Sequence, residues 1–245
     1  MLFTQNMEPI RLQKYLATLG VGSRRGIEKM MTEGKIKVNG KKPKLGDKVT
    51  SRDRILVNGK KIKHTPESKK LIAFHKPKGV ESTMQEPDKF KTLRDFDFGK
   101  ERMYPVGRLD VASSGLILMT NDGELANQLT HPKYEHEKQY IVQVDQRITP
   151  KILDQLSKGA LHIGGKTVKK AQVEKLETRT FSIILKEGRN RQIRKMCGAL
   201  NLEVKDLVRI RIADIELGDL ELGKFQELNL DEILKNFNTE QSNIN

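Results

Sequence analysis

A single cysteine, Cys197, excludes an intramolecular disulfide framework and any metal site built from several thiolates. The five histidines are read as no metal site, and His75, beside Phe74, reads as a structural residue of a short strand. No run of about 18 apolar residues occurs, so no membrane-spanning helix is expected. The opening "MLFTQNMEPI" has neither the basic start nor the apolar core of a signal peptide. Aromatics make up 5% of the chain, and no amphipathic stretch sets a lysine-rich face against large aromatics, so a membrane-surface protein fits poorly. A cytoplasmic protein that binds neither metal nor membrane is the expectation.

What the chain does have is positive charge. The formal charge is +14 over 245 residues, with 36% hydrophobic and 32% charged content. That composition suits a modest core, and the length allows one large domain or a large and a small one. Residues 1–70 carry 18 Lys+Arg against 6 Asp+Glu, whereas residues 71–245 carry 28 against 26. The excess therefore belongs to the first quarter of the chain. A basic module for a polyanion, joined to a nearly neutral body, is the simplest reading.

In "PIRLQKYLATLG", Leu12, Tyr15, Leu16 and Leu19 follow helical spacing, and Gly20 sits where a helix stops. Ser23 can cap a second helix, with Ile27, Met30 and Met31 on one face and Gly34 at its end. The short runs "KIKVNG" and "RILVNG" each finish in Asn-Gly, a strong turn signal. Arg24 and Arg25 open the second helix, and Lys29, Lys35 and Lys37 follow. One such lysine is usually only a solvated surface group. A cluster acts together on phosphates by releasing counterions.

This segment resembles the S4 RNA-binding domain (α-L type) through "RLQKYLATLGVGSRRGIEKMMTEGKIKVNG" (11–40) and "GDKV" (46–49). The resemblance implies binding of structured RNA through backbone and shape, with Arg24, Arg25, Lys35 and Lys37 as contacts. The S4 unit is expected over residues 9–66.

The stretch "NGKKIKHTPESKK" (58–70) is polar, contains Pro66 and reads as a linker ending at residues 67–70. After it, "LIAFHKPKGV" begins a new core. "GLILMT" (115–120) is a continuous apolar run, as in a strand buried on both faces. Asn121-Asp122-Gly123 turns into a helix broken at Pro132, "KQYIVQV" (138–144) is a strand, and Pro150 starts a helix carrying Ile152, Leu153 and Leu156. "TFSIILKEG" (180–188) is a strand. "RNRQIRKMCGALNL" is a helix with Ile193, Met196, Cys197 and Leu200 on its buried face. "VRIRIADIEL" and "FQELNL" close the body as β. The order is neither strict βαβ nor all-β, so an α+β body around a sizeable mixed sheet is expected.

Asp110 follows Gly-Arg-Leu at the mouth of the buried strand. It could cap a helix or pair with Arg108, or it could be a half-buried carboxylate kept ionised by a partner elsewhere. Arg194 lies on the flank of the last helix's apolar face, while Arg191 and Lys195 point away. An arginine in that position wants a carboxylate. Tyr140, two residues past Lys138, can be core packing or a stacking platform for a base.

"GRLDVASSGLILMTNDGEL" (107–125), "EKQY" (137–140) and "EGRNRQIRKM" (187–196) resemble, in order and spacing, the pseudouridine synthases of the ribosomal RNA branch that carry an N-terminal S4 domain. "KPKGV" (76–80) and "LVRIRIADIELGDLELGKFQEL" (207–228) match as well. The resemblance implies a catalytic domain over residues 71–236, built on a mixed, largely antiparallel sheet flanked by helices. It implies Asp110 as the catalytic aspartate, Tyr140 stacked on the target base, and Arg194 paired with the aspartate. It further implies Arg108 holding the target nucleotide out of its stack, with Lys138 and Arg191 on the RNA. The reaction needs no cofactor and no metal. Flipping follows from the chemistry, because neither C1′ nor C5 is reachable in a stacked uridine.

"NDGELAN" with "SSGL" is similar to the large-subunit branch, and "HEKQYIVQVDQRIT" with "GRNRQIRKMC" to the member that also accepts a tRNA. The expected partner is therefore 23S ribosomal RNA, with a tRNA as a second candidate, and the expected state is a monomer. A small-subunit 16S enzyme and a non-catalytic S4-type RNA-binding or ribosome-assembly factor are the alternatives. Intact Asp110, Tyr140 and Arg194 argue against the last. The tail "NFNTEQSNIN", taken as 237–245 beyond the catalytic domain, reads as disordered.

Overall fold

The computed structural model describes residues 8–64 and 68–235. They fall into two compact units: one of residues up to Lys69 with Gly99–Arg102, the other of Lys70–Phe98 and Met103 onward.

In the first unit, α1 (Leu12–Thr18) buries Leu12 and Leu16 and ends before Gly20, at φ +73°. The Ser23 hydroxyl accepts the Gly26 amide at 3.0 Å and starts α2 (Arg24–Thr32), which buries Ile27 and Met31. Asn39-Gly40 and Asn58-Gly59 all take positive φ, the geometry that makes Asn-Gly suited to tight hairpins. Three antiparallel strands result, Ile36–Val38, Ile55–Val57 and Lys60–Lys61. The linker expected from residue 58 therefore begins later. Leu56 and Val57 pair with Lys61 and Lys60, so those residues close the sheet through backbone bonds that a polar sequence does not advertise. Residues 65–67, including Pro66, and the expected tail 237–245 lie outside the described residues.

The second unit is built on a nine-stranded sheet. Its main path runs Gln172–Lys175, Thr180–Leu185, Lys138–Val144, Val204–Ile212, Ser114–Thr120, Leu71–Lys76 and Phe225–Glu227. All neighbours on that path are antiparallel except Ser114–Thr120 against Val204–Ile212. Every residue of Ser114–Thr120 is buried, as its unbroken apolar run requires. α3 (Gly123–Thr130), capped by Asp122, and α4 (Pro150–Ser157), capped by Thr149, flank the sheet with α5 (Gln192–Ala199). Phe74 is fully buried, its ring 4.8 Å from Phe96 and 5.1 Å from Phe98 between centroids. A phenylalanine so placed contributes about 2–3 kcal/mol. His75 is structural, its Nδ1 bonded to Leu220 O at 2.7 Å.

Two boundaries differ from the sequence reading. α5 starts at Gln192, three residues late, because Arg191 adopts left-handed backbone at φ +52° and breaks the run. "FQELNL" supplies only the strand Phe225–Glu227 before the chain turns helical at 230–235.

Candidate active site

The loop from Arg108 to Ala112 has every carbonyl oxygen bonded. Arg108 O accepts from Arg209 Nη1 at 3.4 Å, and Leu109 O from Ser82 Oγ at 2.7 Å. Asp110 O accepts the Ser113 amide at 3.0 Å, and Val111 O the Gly79 amide at 2.8 Å. Ala112 O accepts Arg194 Nη2 at 2.8 Å. Ser82 Oγ also accepts the Leu109 amide at 3.0 Å, making a reciprocal clasp next to Asp110. An irregular loop fixed in this way can hold a side chain as rigidly as a strand does. At its downstream end Gly115 has φ +111°, and a Cβ there would lie 2.3 Å from Arg209 O. Only glycine allows so close an approach of the two parallel strands.

The Asp110 side chain is half-buried, and no hydrogen bond or ion pair reaches its carboxylate among the described residues. It lines a cleft of about 590 Å³ together with Arg108, Lys138, Tyr140, Arg191 and Arg209. Tyr140 is 9% exposed and comes opposite Arg209 through a register shift in the Val204–Ile212 strand. Bulges of this sort re-aim side chains beside active sites. Arg108 is exposed at the rim, and Lys138 donates to His136 O at 3.1 Å. The cleft therefore brings together an acceptor-only carboxylate, an aromatic platform and cations suited to phosphate.

Arg194 departs from the expectation. It makes no ion pair with Asp110 among the described residues, and its guanidinium instead holds Val204 O, Ala112 O and Ser113 Oγ. The charge of Asp110 still raises the arginine's affinity for its proton, although burial and Arg191 outweigh that and lower it. Arg191 also differs: its left-handed backbone puts it among the residues lining the cleft instead of pointing it away. Lys195 does turn aside, toward Asn190 Oδ1 at 3.5 Å.

Two buried cations escaped the sequence reading. Lys76 is fully buried, and its ammonium donates to Pro77 O and Val80 O at 2.8 Å each. Burial, then Arg209, hold its pKa down to about 8, against an opposing pull from Asp110. Arg209 itself is 3% exposed. Neither was visible as a site residue, because each sits in what reads as an ordinary strand. Burial also pushes the Cys197 thiol up to about 12, so it is no nucleophile near neutrality.

In the first unit, Arg24, Arg25, Lys35 and Lys37 are all exposed, with Lys35 alone of the four ion-paired, to Glu33 at 2.7 Å. No group of three or more potential metal ligands occurs among the described residues, and no helix there is long and apolar enough to cross a membrane.

The family model for RNA pseudouridylate synthases matches residues 70–199, and that for the S4 domain residues 10–55. The chain belongs to the RNA pseudouridylate synthase family and is an isomerase with an S4 RNA-binding domain. It is 38% identical over 229 residues to the dual-specificity RNA pseudouridine synthase RluF of Escherichia coli (strain K12), covering 93% of this chain and 78% of that protein. Against the ribosomal large subunit pseudouridine synthase B of Bacillus subtilis (strain 168), identity is 43% over 231 residues, covering 91% and 93%. A crystal structure of a pseudouridylate synthase aligns with a TM-score of 0.67 and 28% identity, over 92% of this chain and 99% of that one.

Proposed function

We propose that this protein isomerises specific uridines of 23S ribosomal RNA to pseudouridine, with Asp110 as the reacting carboxylate. The observation that carries the reading is the fully bonded 108–112 loop, which presents an unpaired Asp110 carboxylate to a cleft shared with Tyr140. The large-subunit and dual-specificity names of the relatives support the RNA assigned.

Arg108, Lys138 and Arg191 hold the phosphates around a flipped uridine, and the base lies against Tyr140. Asp110 acts on the ribose, by bonding to C1′ or by drawing off the C2′ proton. The N1–C1′ bond breaks with its electron pair on the ring and the uracil turns. C5 then bonds to C1′, displacing the Asp110 oxygen on the first route or with the C2′ proton returned on the second, and the C5 proton is lost as N1 gains one. Reactant and product have the same formula, so nothing is consumed and no cofactor is required. The S4 unit adds affinity through its exposed cations, and the protein works as a monomer.

The test is a map of pseudouridines in ribosomal and transfer RNA from cells with and without the gene, followed by conversion with purified protein. One 23S position should be lost and then restored by the wild type but not by Asp110→Asn, which should still bind the RNA. A lost 16S position, or activity in Asp110→Asn, would refute the target or the mechanism respectively.

A further inference from the structure

Arg209 occupies a junction. In register it faces Tyr140 on one neighbouring strand and Gly115 on the other. Its Nε donates to Leu116 O at 2.7 Å and its Nη1 to Arg108 O, so one guanidinium bridges the rigid central strand and the loop two residues before Asp110. Its Nη2 is buried with no hydrogen-bond partner. No carboxylate ion-pairs with it among the described residues. Buried arginines are ordinarily paired, and an uncompensated one costs stability. Gly115 lets the Arg209 backbone approach closely, which fixes the position from which the guanidinium reaches both carbonyls.

We propose that Arg209 is a positioning residue for Asp110: it ties the Arg108 carbonyl to the central strand and sets a fixed positive charge against the loop that carries the carboxylate. The inference rests on Asp110 being the reacting group. The charged groups concerned come from four elements. Lys76, on Leu71–Lys76, feels both Arg209 and Asp110. Lys138, on Lys138–Val144, is held below the ordinary lysine range by burial and then by Arg209. Arg194, on α5, feels Asp110, with Arg191 beside it at the start of the same helix. Arg209 completes the set from Val204–Ile212. Removing it relieves Lys76 and Lys138 of a like charge. That raises the pH at which each lysine loses its proton.

The experiment is single-turnover conversion of an RNA substrate by full-length Arg209→Met and Arg209→Lys across the pH range, alongside RNA affinity at several salt concentrations. Arg209→Met should lower the rate at pH 7 by about 30-fold or more, since small displacements of a reacting group cost this much. RNA affinity should stay within about threefold, and the alkaline limb of the pH profile should move upward. Arg209→Lys, which keeps the charge but cannot hold both carbonyls, should be slow with an unmoved profile. It also decides the matter if Arg209→Met does not fold. A slow Arg209→Met with an unmoved alkaline limb, a wild-type rate in Arg209→Lys, or weaker RNA binding with a shallower salt dependence would each overturn the proposal. Failure of the wild type to form pseudouridine would overturn the functional reading instead.

Discussion

Arg194 reaches from α5 to donate through Nη2 to the carbonyl oxygen of Ala112 at 2.8 Å, two residues past Asp110. The arginine thus secures the backbone around the carboxylate while its charge acts on Asp110 from beyond ion-pair distance. Position and charge are served by one side chain through different atoms.

Replacing Arg194 by Lys keeps the charge but breaks a fork that holds Val204 O, Ala112 O and Ser113 Oγ. The turnover rate should fall by about 10- to 100-fold, with RNA affinity nearly unchanged. Arg194→Met should in addition lose roughly 1–3 kcal/mol of stability, read from denaturant unfolding, because three hydrogen bonds from a charged donor are lost.

Gly115→Ala should be among the most damaging small changes in the chain. The added Cβ would meet Arg209 backbone at 2.3 Å, at a φ of +111° that side chains rarely adopt. A loss of at least about 4 kcal/mol is expected, seen as a lower melting temperature or insoluble protein.

Lys76 gives a pH signature of stability. Its folded pKa of about 8 lies below the unfolded value of 10.5. Between those two values the unfolded chain holds a proton that the folded chain has released, so stability rises with pH across the window. Below pH 8 both states are charged and the full cost of burying the ammonium is felt. Compared with Lys76→Met, the wild type should gain up to about 3 kcal/mol between pH 8 and 10.5 in denaturant titrations. A constant difference between the two would contradict this.

Arg24 and Arg25 are exposed and have no ion pair among the described residues. Changing both to Gln should leave the fold intact and weaken RNA binding. The slope of log affinity against log salt should drop by about two. At saturating RNA the turnover should match the wild type.

Local chemistry made most of the architecture legible. Ser23, the Asn-Gly pairs, Pro150 and the apolar run 115–120 each fix a local geometry, and each appears where its neighbours imply. Asp110, Tyr140, Lys138 and Arg108 could be singled out because a distinctive motif or strand position carries them. Ser82, Lys76 and Arg209 could not. Their roles come from contacts across 27, 4 and 101 residues, and their immediate surroundings are those of an ordinary loop or strand. The departure at Arg194 has the same origin. Helical phase gives the face on which an arginine lies, but not which of several oxygens there its fork will take.

The loop from 108 to 112 has its carbonyls committed to donors on Arg209, Arg194, the 79–82 stretch and its own neighbour Ser113. A surface so fully subscribed cannot remodel itself around an imperfect guest. Fit must then be supplied by the nucleic acid, and a uridine whose neighbours let go of it easily enjoys an advantage before any chemistry begins. On this view, discrimination among uridines is exercised as much by the pliancy of the RNA as by the letters the protein could read.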